Sequence, residues 1–314
     1  MRKTCVVSKR LVTKAIHSFP VYTRRRFFVL ILGMILLPSL IRYSGQELRI
    51  PSKSPPVAGV PSSRIQILVS QPWNDSAFAQ AIAIVTDRRE PPESRATATE
   101  LLHQNRAKLE PNEIRRFLDE ATALAKDATA DESLSTVALR AMGNTALAMQ
   151  ELGQLTVAEA QREAGFLISA ATDPRRGVDF RGNAIYVLGL LRIAESAPLL
   201  RKLLSSNDSL NVPEISRPSC LSLMRLEGER AIPELAEVLR GTADSRVFGT
   251  AAFALAQIEK PESILVLVEN SQRFPENAAC DAALFDLEGP IVTILENPQH
   301  RNLGHAIRAT RHLW

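Results

Sequence analysis

Cysteine is one of the residue types most often used to bind metal or to act as a nucleophile, and the chain has only three of them. They are Cys5, Cys220 and Cys280, and they show no paired spacing of the kind that binds zinc. Cys220 and Cys280 stand among small residues in predicted helices, where a free thiol behaves as a small hydrophobic group. The cysteines therefore predict no metal site.

The histidines are scattered in the same way. They are His17, His103, His300, His305 and His312. His305 and His312 are two helical turns apart, about 10 Å, which is too far for two nitrogen bonds of ~2 Å to one zinc ion. No glycine-rich phosphate loop follows a predicted strand. The sequence therefore predicts no catalytic residue, no metal ligand and no cofactor, and it specifies no reaction.

The elements that position these residues are predicted to be helices. From residue 75 onward, stretches of about 10 to 16 residues with helical periodicity alternate with short polar breaks that contain Pro, Asp, Gly or Asn. Asn74 is the expected N-cap of the first helix, with Trp73 and Phe78 as a hydrophobic staple around it. Residues 64–70 alternate as a short strand or form an extended lead-in. The predicted helices are 75–87, 93–105, 111–126, 132–149, 156–171, 178–193, 195–205, 213–226, 230–240, 244–258, 261–271, 276–287, 289–297 and 302–312.

A short leucine-rich pattern recurs along these helices. It starts at Leu188, Leu223 and Leu255, with spacings of 35 and 32 residues. A period in this range indicates a solenoid of helical repeats. Each unit places an arginine before a helix rich in small residues, followed by a polar break and a leucine-rich helix, as after Arg181 and Arg246. With these units the chain resembles the HEAT-like repeat family of the PBS-lyase type, most clearly over residues 178–272.

This resemblance implies an all-α fold, namely an α-solenoid (α/α superhelix) of HEAT-like helical hairpins with an armadillo-like fold over residues 64–314. It also implies that the second helix of each unit lines the concave surface. The charged residues around these helices are either ordinary solvent-facing charge or a mixed-charge groove that binds a partner protein. The candidate partner-binding residues are Arg201, Lys202, Glu234, Glu237, Arg240 and Glu262.

Three alternatives accompany this interpretation. Some HEAT-like proteins resemble bilin lyases, so a bilin lyase-like or isomerase-like accessory enzyme is one of them. A self-associating structural envelope protein is another, although the charged ends of the repeat region predict a monomer or small oligomer. One unit around Met142-Gly143 loosely matches the tetratricopeptide pattern. Other HEAT-like enzymes bind metal with His-Glu dipeptides; this chain has none, so the resemblance does not imply their hydroxylase activity.

The N-terminal region has a different composition. Residues 1–46 contain nine Lys and Arg and no Asp or Glu, and Arg24-Arg25-Arg26 precede the apolar residues 27–41. Fifteen helical residues span roughly 22 Å, between the length of a signal-peptide hydrophobic region and a full membrane span. We expect a cytoplasmic basic segment (1–26), a signal anchor or transmembrane segment (27–41) and a Pro/Ser-rich linker (42–63).

This anchor would place the repeat domain (64–314) outside the membrane, in a bacterial periplasm or envelope. The alternatives are export with signal cleavage, by a twin-arginine or another signal, and a mitochondrial transit sequence.

Residues 47–314 hold 29 basic and 34 acidic residues, so the folded part has a formal charge of −5 and no strong basic stripe. This excludes nucleic acid as the expected partner. We predict a membrane-anchored or exported, non-enzymatic scaffold that binds another protein.

Overall fold

The computed structural model describes residues 62–206, 212–270 and 273–274. The chain divides into two units, 1–53 and 54–314, and every described residue belongs to the second. The predicted basic segment, the apolar segment 27–41, nearly all of the linker and the helices predicted at 276–287, 289–297 and 302–312 lie outside the described residues. Within the part that the structure describes, no helix is long and apolar enough to cross a membrane.

The described residues form α-helices and short 3-10 turns and contain no β-strand. The all-α prediction is confirmed for this part of the chain. The helices are α1 (Ser63–Ser70), α2 (Asp75–Thr86), α3 (Pro92–Gln104), α4 (Pro111–Lys126), α5 (Glu132–Glu151), α6 (Val157–Gln161), α7 (Ala164–Thr172), α8 (Val178–Leu190), α9 (Ala197–Ser205), α10 (Pro213–Glu227), α11 (Ile232–Gly241), α12 (Ser245–Ile258) and α13 (Pro261–Asn270).

Local capping sequences explain where these helices begin. The Asn74 side chain accepts a hydrogen bond from the Ala77 N–H at 2.9 Å and caps α2, as predicted. Thr156 and Glu159 form a reciprocal capping box at the start of α6. Proline occupies the first position of α3, α4, α10 and α13, where its missing N–H has no intrahelical role.

The expectation of a strand or extended lead-in at residues 64–70 was wrong, because this segment is helix α1. The Ser62 side chain accepts from the Ile65 N–H, and Ile65 and Leu68 are buried at i and i+3. The apparent alternation came from Ile67 and Val69, which are each 58% exposed and face away from the helices that α1 covers.

The helices form two layers. The first-helix layer consists of α3, α5, α8, α10 and α12, and consecutive members pack closely side by side. The second-helix layer consists of α2, α4, α7, α9, α11 and α13, whose members make much less contact with one another. Between the layers, the closest packing joins each of α2, α4, α7, α9 and α11 to the first helix that follows it in sequence, as in α9 with α10. The hairpins of the structure are therefore offset by one helix from the units that we read in the sequence.

Small residues allow the close packing of the first-helix layer. At three glycines, a Cβ atom added with ideal geometry would fall 2.5 Å or less from an atom of a neighbouring helix. Real Cβ atoms essentially never approach that closely. These glycines with the atoms they face are Gly143 with Val187 Cγ2 (2.5 Å), Gly182 with the Glu214 carbonyl oxygen (2.1 Å) and Gly189 with Ser222 Oγ (2.3 Å).

Arginines from later parts of the chain bind carbonyls near the C-terminal ends of second helices. Each guanidinium satisfies a carbonyl that has lost its intrahelical partner at the helix end. The contacts are Arg95 Nε to the Val85 oxygen (2.9 Å), Arg181 Nε to the Ala171 oxygen (3.2 Å) and Arg273 Nη1 to the Leu239 oxygen (2.7 Å). This contact explains part of the arginine pattern seen in the sequence repeats.

Candidate functional site

Two of the six predicted partner-binding residues contact each other. Arg201 on α9 donates from Nε to Glu234 Oε1 on α11 at 2.8 Å. Its Nη2 donates to Glu227 Oε2 at the end of α10. The Arg201 side chain is 40% exposed, whereas that of Glu227 is only 15% exposed. Arg201 therefore joins three helices, and its charge is already neutralised within the fold.

The other four predicted residues are exposed. Lys202 lies on α9, Glu237 and Arg240 on α11, and Glu262 on α13. None of their side chains has a hydrogen bond or ion pair with another described residue. We call these four residues the exposed charge set. They lie on three consecutive second helices and leave two positive and two negative charges for contacts outside the described part of the chain.

Glu227 was not predicted from the sequence as a partner of Arg201. The two residues are 26 positions apart, and only the close packing of α9 on α10 brings them together. Glu227 belonged to the charged residues around the predicted second helices, but nothing local in the sequence distinguished it from them. The sequence therefore showed the charged residues of the Arg201 network but not which of them contact each other.

A cleft of about 490 Å³ lies at the other end of the described region and was not predicted from the sequence. It lies where the ends of α2 and α4 meet the start of α3. Its charged lining residues are Arg88, Arg95, Glu120, Lys126 and Asp127. The sequence did contain a pattern that marks Arg95 as a repeated position. Asp87 and Arg95 have the same eight-residue spacing as Asp173 and Arg181.

The described residues contain no group of three or more His, Cys, Asp or Glu side chains that could hold a metal ion. Cys220 is a free, fully buried thiol on α10, as its small-residue surroundings predicted. Burial raises the pKa of this thiol to about 12, because the low-polarity interior disfavours the thiolate. Cys220 therefore stays protonated at neutral pH and contributes to packing.

Comparison with known proteins supports the repeat assignment. The family model described as HEAT repeats matches residues 164–256. This confirms the resemblance to HEAT-like repeats for that part of the chain. The match begins with α7 and ends within α12, so it covers the hairpins α7–α8 and α9–α10 and most of α11–α12.

Among solved structures, human deoxyhypusine hydroxylase in complex with glycerol is similar over 71% of this chain and 76% of that chain. The sequence identity is 22% and the TM-score is 0.34. No curated protein sequence matches the chain.

Proposed function

We propose that this helical-repeat protein is an interaction scaffold that binds another protein through the part of the second-helix layer formed by α9, α11 and α13. The observation that carries the proposal is the exposed charge set, whose four side chains have no partner among the described residues. The six residues predicted from sequence thus separate into two groups. Arg201 and Glu234 hold neighbouring helices together, whereas Lys202, Glu237, Arg240 and Glu262 are free to contact a partner.

The chemistry of this set fits recognition better than catalysis. Charges of both signs at the rim of an interface fix the register of a partner and raise its association rate more than its affinity. The second helices also make less contact with one another than the first helices do, which leaves room for a partner segment on this side. A repeat protein presents such an extended surface because neighbouring units stack in one direction.

The test is partner capture from an extract of the source cell with the full-length chain as bait. We expect a specific protein that is released by salt, because exposed charges are screened at high ionic strength. The variant K202E/E237K/R240E/E262K reverses all four charges and leaves the net charge unchanged. We expect it to reduce retention of that protein by at least about tenfold, or roughly 1.4 kcal/mol, with no change in the thermal unfolding midpoint.

A matched control reverses four exposed charges elsewhere, at Arg116, Asp119, Glu151 and Arg162. The variant R116E/D119K/E151K/R162E also keeps the net charge and should retain the partner. Equal loss of the partner in both variants would rule out the exposed charge set as the binding surface. Retention of a tetrapyrrole without any protein would instead favour the lyase-like alternative, and long polymers in light scattering would favour self-association.

We further propose that residues 27–41 hold the chain in a membrane, with the N-terminus in the cytoplasm and the repeats outside. The support is the acid-free basic leader immediately before an apolar segment. Alkaline carbonate extraction of membranes from the source cell is expected to leave the chain in the membrane pellet at its full length of 314 residues. A shorter chain in the soluble fraction would show cleavage and export in place of anchoring.

A further inference from the structure

The cleft between α2, α3 and α4 contains an arginine that is held in position but has no ion-pair partner. Arg95 Nε donates to the Val85 carbonyl oxygen at 2.9 Å, which anchors the guanidinium at the end of α2. Neither Nη1 nor Nη2 of Arg95 has a hydrogen bond to a described residue, and Arg95 lines the cleft. Two parallel donors of a fixed guanidinium fit the two oxygens of a carboxylate.

The environment of Arg95 removes water from its guanidinium without giving it a direct ion pair. Its pKa is lowered, chiefly because partial burial removes water from the guanidinium. The Asp127 and Asp87 carboxylates act in the opposite direction, but neither makes an ion pair with Arg95. A charge that has lost water and has not gained a direct counterion is stabilised when an anion binds beside it.

The carboxylate of Asp127 is already occupied by other donors. It accepts from Thr129 Oγ1 at 2.6 Å, from the Thr129 N–H at 2.9 Å and from Arg88 Nη2 at 3.1 Å. These contacts lower the pKa of Asp127, with the Thr129 hydroxyl as the largest cause. Asp127 therefore holds Arg88 at the mouth of the cleft and has little capacity left for Arg95.

The remaining charged lining residues define what the cleft can accept. Lys126 pairs with Glu163 at 2.6 Å, outside the cleft lining. Glu120 has no ion pair with a described residue. Arg88 and Lys126 are paired with Asp127 and Glu163, so Arg95 and Glu120 are the charged lining residues that have no ion pair with a described residue. A doubly charged phosphate would be repelled more strongly by the Glu120 and Asp127 carboxylates than a singly charged carboxylate would be.

We propose that this cleft binds a carboxylate side chain from an acidic segment of a partner protein, with Arg95 as the anchoring residue. The volume of about 490 Å³ exceeds what a carboxylate group alone needs, and the apolar residues Val85 and Leu124 line the same cleft. They can contact the methylene groups of a glutamate side chain. The inference rests on the proposed role in binding a protein, but it concerns a site separate from the exposed charge set.

The probe is a fluorescently labelled hexaglutamate peptide, acetylated and amidated so that only its side chains carry carboxylates. Binding to the full-length chain is measured by fluorescence anisotropy at low salt, since screening weakens exposed charges at high salt. We expect hexaglutamate to bind and the neutral hexaglutamine peptide not to bind. Absence of hexaglutamate binding, or equal binding of both peptides, would overturn the proposal.

The chain supplies a matched control for Arg95. Arg181 occupies the equivalent position and donates from Nε to the Ala171 carbonyl oxygen at 3.2 Å, but it does not line this cleft. R95Q and R181Q each remove one positive charge and one carbonyl contact at a helix end. We expect R95Q to weaken hexaglutamate binding by at least about tenfold and R181Q by no more than about twofold. If both variants weakened hexaglutamate binding equally, the effect would come from the net charge of the protein and not from the cleft, and the proposal would be overturned.

A second variant leaves Arg95 in place. Ala123 is exposed on α4 and lines the cleft, so A123E adds a carboxylate there without removing a buried contact. We expect A123E to weaken hexaglutamate binding by at least about fivefold with an unchanged unfolding midpoint, because the new side chain competes for Arg95. Unchanged binding would contradict the assignment. Partner capture through the exposed charge set can succeed or fail independently of these results.

Discussion

Replacing Gly182 with alanine is expected to lower the free energy of unfolding by about 3 kcal/mol. Gly182 on α8 faces the Glu214 carbonyl oxygen on α10, which would lie 2.1 Å from the new Cβ atom. The opposing group is helix backbone, so it cannot rotate away as a flexible side chain can. The two helices must separate, and this loosens the closely packed first-helix layer on both sides.

The Glu214 carbonyl faces Gly182 for a reason that the sequence of α10 provides. Pro218, four residues later, lies inside α10 and has no N–H to donate to this carbonyl. A proline ring at this position also crowds the same carbonyl. Gly182 offers the carbonyl a neighbour without a side chain, and its Cα–H groups can make weak contacts to the oxygen. Gly182 and Pro218 are therefore complementary residues on adjacent helices.

The measurement for Gly182→Ala is urea or thermal unfolding followed by circular dichroism. Gly165→Ala is the matched control, because Gly165 is exposed on α7 and its added Cβ would meet no atom within 4 Å. The same chemical change there should stabilise the chain by about 0.5–1 kcal/mol through helix propensity. Similar midpoints for the two variants would show that α8 and α10 do not approach as closely as described.

Replacing Phe248 with alanine is expected to lower the free energy of unfolding by about 3–5 kcal/mol. Phe248 on α12 is fully buried, and its ring centroid lies 4.7 Å from that of Phe274 in a tilted arrangement. Truncation removes the buried ring and leaves a cavity that the surrounding helices can fill only in part.

Phe253 provides the control on the same helix. It is 42% exposed, so Phe253→Ala removes the same atoms from a site that water already reaches. We expect this change to cost less than about 1 kcal/mol. Denaturant titrations of both variants separate the effect of burial from that of helix propensity, which is identical in the pair. Equal losses of stability would mean that α12 does not bury Phe248 against the rest of the stack.

Local sequence signals predicted most helix boundaries within a few residues. The predicted helix 111–126 agrees with α4 at both ends, because Pro111 and the Glu110–Glu113 capping box mark its start. Helix α1 was missed because residues 64–70 expose two apolar side chains that imitate strand alternation. A segment of seven residues is too short to distinguish the 3.6-residue period of a helix from the two-residue period of a strand.

Nonlocal contacts could not be predicted in this way. The offset of the hairpins and the pairing of Arg201 with Glu227 depend on which helices pack most closely, and sequence spacing does not specify this. The six-residue site was predicted as one group, and the structure joins only Arg201 and Glu234 by a direct contact. The Arg95 cleft depends on burial and on which donors are already used, both of which are properties of the folded chain.

The unequal packing of the two layers has a mechanical consequence. Neighbouring first helices approach closely at Gly143, Gly182 and Gly189, so this side of the stack resists compression. The second helices touch less, and small rotations about the dense side change the distances between them. The described stack should therefore bend about the first-helix layer. Such bending would change the distances between the second helices, which carry the exposed charge set and line part of the Arg95 cleft.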